Sequence, residues 1–443
     1  MSAEAALAGA VARAIQTCPE SNQWVVAFSG GQDSTVLLHA LSQHTEIMLR
    51  AVHVDHGLQP ELRGEWLQSV QSIAHAFGVP LTVLPTPVAL TAGSSVEAEA
   101  RHARYRALAD SLGAGEVLVT AQHADDQAET VFLQMLRGSG PAGLSAMPAR
   151  SAFGHGHLLR PLLDVPKSTI SDYATRHDLR WFDDPSNVDT RFDRNYLRLH
   201  VMPGIADRWP AVSRTLGRVA RWQQAATHAL TRQALSDWQQ ICRPRRQVAS
   251  CARLQVLPDG RAREAIRAGL AAAGLTVPNA VRLDAVLAMV NSTSGKGLVA
   301  WDGGCARRYR DQLFLLAPLQ AEPDDFDQFW DGIRPLRLPG GYGMLRLHPA
   351  PSQSLALRCH FREPGLKVRE SSGNSKDFAK WCQERAIPPW ARSRIPLISV
   401  EDTLIAIGGK RLSDWHKVAG SVVPIWSECP ALGLSGSTGS GIV

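Results

Sequence analysis

The chain has 443 residues, 44% of them hydrophobic and 20% charged, with a formal net charge of +6. This length exceeds one ordinary core and predicts two to four globular domains, and the mild positive charge suits a polyanionic partner such as nucleic acid. Seven cysteines without a CxxC pair argue against zinc ribbons, iron–sulfur sites and disulfide frameworks, and no segment approaches 18 uninterrupted apolar residues, so a cytoplasmic protein without membrane contact is expected.

In chain order, Ala5–Ile15 reads as a helix and Trp24–Phe28 as an apolar, β-branched strand. The strand runs into Ser29, Gly30, Gly31, Gln32, Asp33 and Ser34, and Thr35–Leu41 opens a helix. Strand, glycine turn and helix start together make an anion site. Glycine lets backbone approach a phosphate without a Cβ, and the helix start offers unpaired N–H groups and a positive dipole end. Ser29 and Ser34 add hydroxyls. Asp33 does not favour a bare phosphate, so a divalent cation is expected between its carboxylate and the phosphate. No GK[ST] closes the string and G-x-G-x-x-G is missing, which sets aside the common P-loop and the dinucleotide fingerprint. SGGQDS resembles the pyrophosphate loop, SGGxDS, of enzymes that split ATP into AMP and pyrophosphate. By itself the string leaves amidotransferase synthetases, tRNA thiolation enzymes and tRNA lysidine synthetases open.

Ile47–Val54 reads as a second strand that ends in HVDHGL, His53–Leu58. Polar residues at a strand's C-terminal end are where open sheets put ligand contacts. The segment resembles HVNHGLR of the lysidine synthetases, with Asp55 and Gln59 departing from that form. Glu61–Phe77 is a helix, and Val79–Leu84 a third strand whose Pro80 points to a sheet edge or to the strand's first residue. A helix capped by Ser94 or Ser95 carries Arg101, Arg104 and Tyr105 on one side, and it resembles an ExxARxxRY segment that implies a reaction-site role for Arg101. Glu116–Ala121 is a fourth strand, followed by QHADDQAET. There Asp126 and Glu129 lie three apart and share a helix face at the same sheet edge as the pyrophosphate loop, as ligands for a metal or an amine. This stretch resembles TAHHxxDQxET…RGSGxxGL; His123 keeps the second histidine, and Gln122 stands where the first is usual. Arg137–Gly143 reads as mobile backbone beside the site.

Leu158–Leu163 is expected to be a fifth strand containing Arg160, and Pro166–His177 a helix with proline at its start. Trp181–Pro203 resembles D-x-SN…F-x-RNxxR through Asp184, Ser186, Asn187, Arg191, Arg194, Asn195 and Arg198. An arginine placed there suits bidentate binding of a substrate carboxylate. Beyond it, Ala206–Trp238, Ala262–Ala273 and Asn279–Val290 read as helices. CRPRR at 242–246 and Arg261, Arg263, Arg267, Arg307, Arg308 and Arg310 read as a phosphate-binding footprint. Ala317–Pro335 is rich in Asp and Pro and reads as a linker or acidic surface. CHFREPGLKV resembles an RxxGD segment at Arg362, with Leu366 in place of the acid. Lys376–Ile398 resembles a basic helix followed by IP-x-x-x-R-x-x-x-P-L-I, which points Lys376, Lys380, Arg385, Arg392 and Arg394 at an acceptor arm. Trp381 and Trp390 read equally as core or as base-stacking platforms, Leu404–Gly409 as a strand, and the Gly- and Ser-rich tail 431–443 as disordered.

Five spaced blocks agree in order from Trp24 to Pro203, and the chain is identified as a member of the tRNA(Ile)-lysidine synthetase family of PP-loop ATP pyrophosphatases. The resemblance implies an α/β fold, a parallel open sheet with helices on both faces, followed by a helical domain and a small α+β C-terminal domain. The expected boundaries are 1–215 for the catalytic domain, 216–318 and 335–430 for two tRNA-contacting domains, and 431–443 for the tail. It implies ATP, Mg²⁺ and free L-lysine as cofactor and substrates, and tRNA(Ile) with a CAU anticodon as partner; a homodimer is the assembly considered. Ser29, Gly30, Gly31, Gln32, Asp33, Ser34, His53 and His123 would hold the nucleotide, with Asp33 on the metal. Arg101 would stabilise phosphate charge, Asp126 or Glu129 would receive the lysine amine, and Arg194 would hold its carboxylate. Missing paired cysteines weigh against a tRNA thiolase, and the intact SGGQDS, Asp126 and Glu129 weigh against a tRNA-binding protein with an inactive nucleotide site.

Overall fold

The computed structural model describes residues 2–57, 60–87, 96–242, 247–322, 326–361, 365–369 and 375–427. Gln59, Ser94, Ser95, Arg243, Arg245, Arg246, Arg362 and the tail 431–443 lie outside them. The chain forms two compact units, Met1–His228 and Ala229–Val443. The boundary expected at 215 falls inside a long helix, Val212–Ile241.

The first unit runs α1 (Ala3–Gln16), β1 (Gln23–Ala27), α2 (Gln32–Ser42), β2 (Met48–Asp55), α3 (Arg63–Ala76), β3 (Leu81–Pro85), α4 (Val96–Ser111), β4 (Val117–Val119), α5 (Ala124–Leu136), α6 (Pro141–Leu144), β5 (Arg150–Phe153), β6 (Gly156–Leu159) and α7 (Lys167–Arg176). Its sheet has the order β3-β2-β1-β4-β6-β5. All neighbours are parallel except β5 and β6. Side chains alternate across β1: Trp24 and Val26 join the core on one face, Val25 the core on the other. On β4, Val117 and Val119 pair with the first face and Leu118 with the second. A parallel sheet covered on both faces needs such continuously apolar strands. The chain moves from β1 outward to β2 and β3, then returns to the other side of β1 as β4. That reversal opens a crevice at the C-terminal ends of β1 and β4, where open sheets bind ligands.

The expected fifth strand is instead a hairpin, with β6 ending at Leu159 and Arg160 just beyond it. Gly154 turns it at φ +53°, and Gly156 lies so near β4 that a Cβ would sit 2.2 Å from the Glu116 carbonyl. Short polar RSAF carries little strand signal, which is why β5 was not expected. The RGSG stretch, expected to be mobile, is a closed turn. Gly138 at φ +68° ends α5, its N–H bonds to Met135 O at 3.0 Å, and Ser139 N–H bonds to Gln134 O at 3.0 Å. After α7 come a 3₁₀ turn (Pro185–Val188), α8 (Asp193–Tyr196), a π-helical turn (Leu197–Val201), α9 (Met202–Arg208) and α10 (Val212–Ile241). The single helix expected over 206–238 is thus broken before Val212, where Pro210 lacks an N–H.

The second unit starts with β7 (Val248–Ser250), α11 (Cys251–Val256), α12 (Asp259–Ala272), α13 (Ala280–Asn291), β8 (Lys296–Trp301), β9 (Gly304–Tyr309) and β10 (Gln312–Leu316). Besides the expected helices it holds an antiparallel sheet, β7-β10-β9-β8. Arg307 and Arg308 lie within β9 and mask its strand pattern. Next come β11 (Asp327–Trp330), β12 (Leu336–Arg337), β13 (Met344–His348), β14 (Leu357–His360), β15 (Lys367–Arg369), β16 (Ser375–Asp377), α14 (Phe378–Glu384), α15 (Pro389–Arg392), β17 (Leu397–Val400), β18 (Thr403–Ile407), β19 (Lys410–Arg411), α16 (Trp415–Ala419) and β20 (Val423–Ser427). β11, inside the segment read as a linker, is the edge of a five-stranded sheet β11-β14-β17-β18-β19. Trp381 is fully buried in that region's core, stacked on Phe378. Trp390 packs edge-on against Phe314 with Arg307 over its ring, so it too serves packing. No described helix is long and apolar enough to cross a membrane.

Candidate functional site

The SGGQDS loop leaves β1 at the crevice and becomes the first turn of α2, with Gly31 as its N-cap. Gly30 sits at φ +86°, and a Cβ there would meet Val70 Cγ1 at 2.5 Å. Only glycine fits both the conformation and the space. The loop is held from outside by Trp66, whose Nε1–H donates to Ser29 O at 2.7 Å, and by Phe182, whose N–H donates to Gly30 O at 2.9 Å. The two aromatic rings stack on each other at 4.9 Å. Ser29 Oγ and Ser34 Oγ lie 3.0 Å apart, and Gln32 Oε1 accepts from Ser171 at 3.2 Å.

Asp33 points to the N-terminus of α5 and the N-terminus of α7. Lys167 Nζ donates to its carboxylate, and His123 Nε2 stands 3.6 Å away. Burial alone would raise the Asp33 carboxyl; the hydrogen bond and charge of His123, with Lys167, outweigh it and hold the group below the usual carboxylate range. His123 is buried and caps α5, its Nδ1 accepting the Asp126 N–H at 3.4 Å while the Asp126 carboxylate accepts the His123 N–H at 3.0 Å. Burial disfavours its charged form, but Asp33 and Asp126 outweigh that and raise its titration above the usual histidine value. Gln122, the departure from the family pattern, accepts a hydrogen bond from Thr120 Oγ1.

Asp126 and Glu129 do share a face, and two arginines from the RNxxR segment cover it. Arg194 donates to Glu129 Oε2 and Asp126 Oδ1, both at 2.8 Å. Arg198 donates to Glu129 Oε1 at 2.7 Å and to Asp126 Oδ1 at 2.9 Å. Arg194 and Arg198 are four apart where α8 passes into the π turn, so they reach the same side. Glu129 is only 3% exposed, and two guanidinium groups against two carboxylates make the cluster neutral. Asn195 secures the preceding turn, donating to Ser186 O and Asp189 O at 3.0 Å each.

His53 lies near the C-terminal end of β2, is buried, and bonds through Nδ1 to Phe28 O at 2.9 Å. Burial lowers its titration despite that bond, which keeps the ring neutral at the root of the loop. Arg101 lies on α4 with its guanidinium 5.0 Å from the Tyr105 ring, and the neighbouring Arg104 donates to His56 Nε2 at 3.2 Å. Among the described residues Arg101 makes no hydrogen bond to the loop or the acid pair, so the structure brings together the loop, His53, His123, Asp126, Glu129 and Arg194, and leaves Arg101 in a neighbouring basic group. Sequence reasoning overlooked Lys167, and it named Arg198 without giving it a task. Asp125, also unnoticed, accepts Lys167 N–H at 2.7 Å and a bond from Ser213 Oγ, tying α7 and α10 to α5. No spacing rule marks a lysine 134 positions from its partner aspartate. Among the described residues, no group of three or more His, Cys, Asp or Glu side chains is arranged to hold a metal by itself.

Residues 4–205 match the family model of the PP-loop domain, 250–314 that of the TilS substrate binding domain, and 357–423 that of the TilS substrate C-terminal domain. The chain is 40% identical over 417 residues to a tRNA(Ile)-lysidine synthase of Alkalilimnicola ehrlichii, covering 90% of this chain and 92% of that one. It is 37% identical to the corresponding protein of Methylococcus capsulatus, covering 87% and 91%, and 37% identical to that of Escherichia coli O157:H7, covering 88% and 92%. With its glycine loop and acid pair meeting at one sheet edge and these likenesses running through both units, the chain belongs to the tRNA(Ile)-lysidine synthase family.

Proposed function

We propose that the protein joins free L-lysine to C2 of the wobble cytidine of tRNA(Ile) with a CAU anticodon, forming lysidine. ATP first adenylates the cytosine at its C2 oxygen, releasing pyrophosphate; the lysine ε-amine then attacks C2 and expels AMP. The C2 oxygen of cytosine is a poor leaving group, and adenylation converts it into one that departs readily. The observation that carries this reading is the meeting, at one sheet edge, of a glycine loop suited to phosphate with a buried acid pair suited to an ammonium group.

In this reading the N–H groups and hydroxyls of Ser29–Ser34 bind the pyrophosphate part of ATP, and His53 and His123 border it. Mg²⁺ commonly binds through one or two carboxylates together with substrate phosphates, and Asp33 fits that use; when bound it supplies neutralisation of the triphosphate charge. Arg101 serves developing phosphate charge. The lysine ammonium, with a pKa near about 10.4 in water, must lose a proton before attack, and Asp126 or Glu129 orients it and accepts that proton. Both acids already hold guanidinium groups, so lysine enters by exchange: its ammonium displaces one, and Arg194 takes the substrate's α-carboxylate. The two regions of the second unit provide tRNA contacts, and the protein works in the cytoplasm. The test mixes protein, ATP, Mg²⁺, labelled lysine and unmodified tRNA. Label is expected in tRNA(Ile) with the CAU anticodon; no label, or label independent of that anticodon, would refute the reading.

A further inference from the structure

Among the described residues, Lys167 supplies the one ammonium in contact with the side chain of the loop's aspartate, yet nothing in the loop motif calls for it. It is the first residue of α7, fixed there by Pro166 at the N-cap and by its own N–H bond to Asp125 at 2.7 Å. α7 is braced on α2 by Ser171 against Gln32 at 3.2 Å and by Tyr173 Oη against His39 Nδ1 at 2.9 Å. The backbone under Lys167 is therefore held still, while its side chain is 40% exposed and its partner Asp33 32% exposed. A partly exposed ion pair adds little to a helix contact that two other bonds already secure. The pair therefore looks to a ligand rather than to the fold.

We propose that Lys167 is a nucleotide-binding residue. In the nucleotide-free protein its ammonium neutralises Asp33; when Asp33 takes up the divalent cation that accompanies ATP, the ammonium moves onto an oxygen of the β- or γ-phosphate. A divalent cation and an ammonium would repel each other at contact distance on one carboxylate, so a cation on Asp33 would favour release of Lys167. The displaced group has a flexible four-carbon stem and three donors, and the nearest concentration of negative charge is the triphosphate in the adjoining loop. The exchange keeps charge on both sides matched: the carboxylate never stands beside the phosphates without a cation, and the ammonium is never without an anion.

This inference rests on the ATP-dependent reading above. The test is calorimetric titration of the full chain, without tRNA or lysine, using Mg²⁺·ATP and, separately, AMP. Lys167→Met is expected to weaken Mg²⁺·ATP binding roughly 10- to 100-fold, the worth of one charge-assisted hydrogen bond, and to leave AMP binding unchanged. Lys167→Arg should recover most of the ATP affinity. Should Lys167→Met not fold, Lys167→Gln answers the same question. ATP affinity indifferent to Lys167, or equal loss of ATP and AMP binding, overturns the assignment alone. Wild-type protein that binds AMP but not Mg²⁺·ATP overturns it together with the ATP-dependent reaction.

Discussion

The two units use charge in opposite ways. In the first, Asp33, Asp126, Glu129, Arg194, Arg198, His123 and Lys167 converge on one crevice, bonding chiefly to each other's side chains. In the second, several of the described arginines that the sequence suggests for phosphate or acceptor-arm contact are taken up by the fold. Arg308 donates to the carbonyls of Met289 and Val290 at 2.8 Å and to Ser292 O, closing the C-terminus of α13. Arg310 donates to Gln383 O, whereas Arg261 pairs with Asp237 and Arg263 with Asp284, side-chain pairs of the same kind as those in the first unit. Arg394, 7% exposed, binds Tyr342 Oη, Gln320 O and Trp390 O, and Arg392 binds Ile387 O. Charges bonded to side chains of opposite sign can exchange partners with a substrate. Charges bonded to backbone carbonyls are spent on structure. Lys380 is exposed on α14, and Arg385 lies over the Trp381 ring at 4.3 Å; these are better placed to meet a polyanion than Arg308 or Arg394.

The contrast is open to attack at several points. On the proposed reading, in which Asp33 would hold the cation against the phosphates, Asp33→Ala should reduce lysine incorporation by about 100-fold or more; near-normal AMP release would show that the crevice is not organised around it. Glu129→Gln should destabilise the first unit by roughly 2–4 kcal/mol, since two guanidinium groups lose a buried partner. A urea midpoint within error of wild type would mean that the quartet is solvated rather than mutually neutralised. Gly30→Ala should cost about 1–3 kcal/mol or shift the loop off Trp66, from positive φ and the Val70 clash together; unaltered ATP affinity and stability would count against a tightly formed cradle.

In the second unit the expected effects are smaller and separable. Arg308→Ala should lower thermal stability by about 1 kcal/mol and leave the salt dependence of tRNA binding unchanged, whereas Lys380→Ala should reduce the salt slope by about 1 and leave stability alone. A changed slope for Arg308→Ala would erase the distinction between bonded and available charge. The smallest effect concerns pH. His123 titrates above its ordinary 6.5 in the folded protein, so its charged contacts stabilise fully below that value and are lost as pH rises through the raised one. The stability advantage of wild type over His123→Gln should therefore shrink as pH rises from 6.5 through the raised value; an advantage that grows as pH rises would reverse the sign assigned to His123.

Much of the first unit could be read from its residues because the information is local. Trp24–Phe28 is uniformly apolar because both sheet faces are covered, and SGGQDS follows it because the turn needs glycine and the helix start attracts anions. Asp126 and Glu129 share a face by helical spacing alone. Pro80 left open an edge strand or a strand start; β3 is an edge and also begins just after it, at Leu81. Other features depend on partners distant in sequence and had no local mark. Lys167 reaches Asp33 across 134 positions, and the hairpin partner β5 is four polar-leaning residues. The β7–β10 sheet was hidden because Arg307 and Arg308 interrupt its apolar pattern, and only the carbonyl ring at the end of α13 shows why an arginine belongs there.

What the sequence determined by itself is the family and the local frame: a glycine turn between a strand and a helix, Asp33 in that helix's first turn, and Asp126 and Glu129 on one helix face, each encoded in a few consecutive residues. What the tertiary structure decided is how those charges are balanced before any substrate arrives. Arg194 and Arg198 close over Asp126 and Glu129, and Lys167 with His123 closes over Asp33. The physical reason is that buried charge must be neutralised in space, and neighbours in space come from α5, α7 and the RNxxR segment, which only the folded sheet edge brings together.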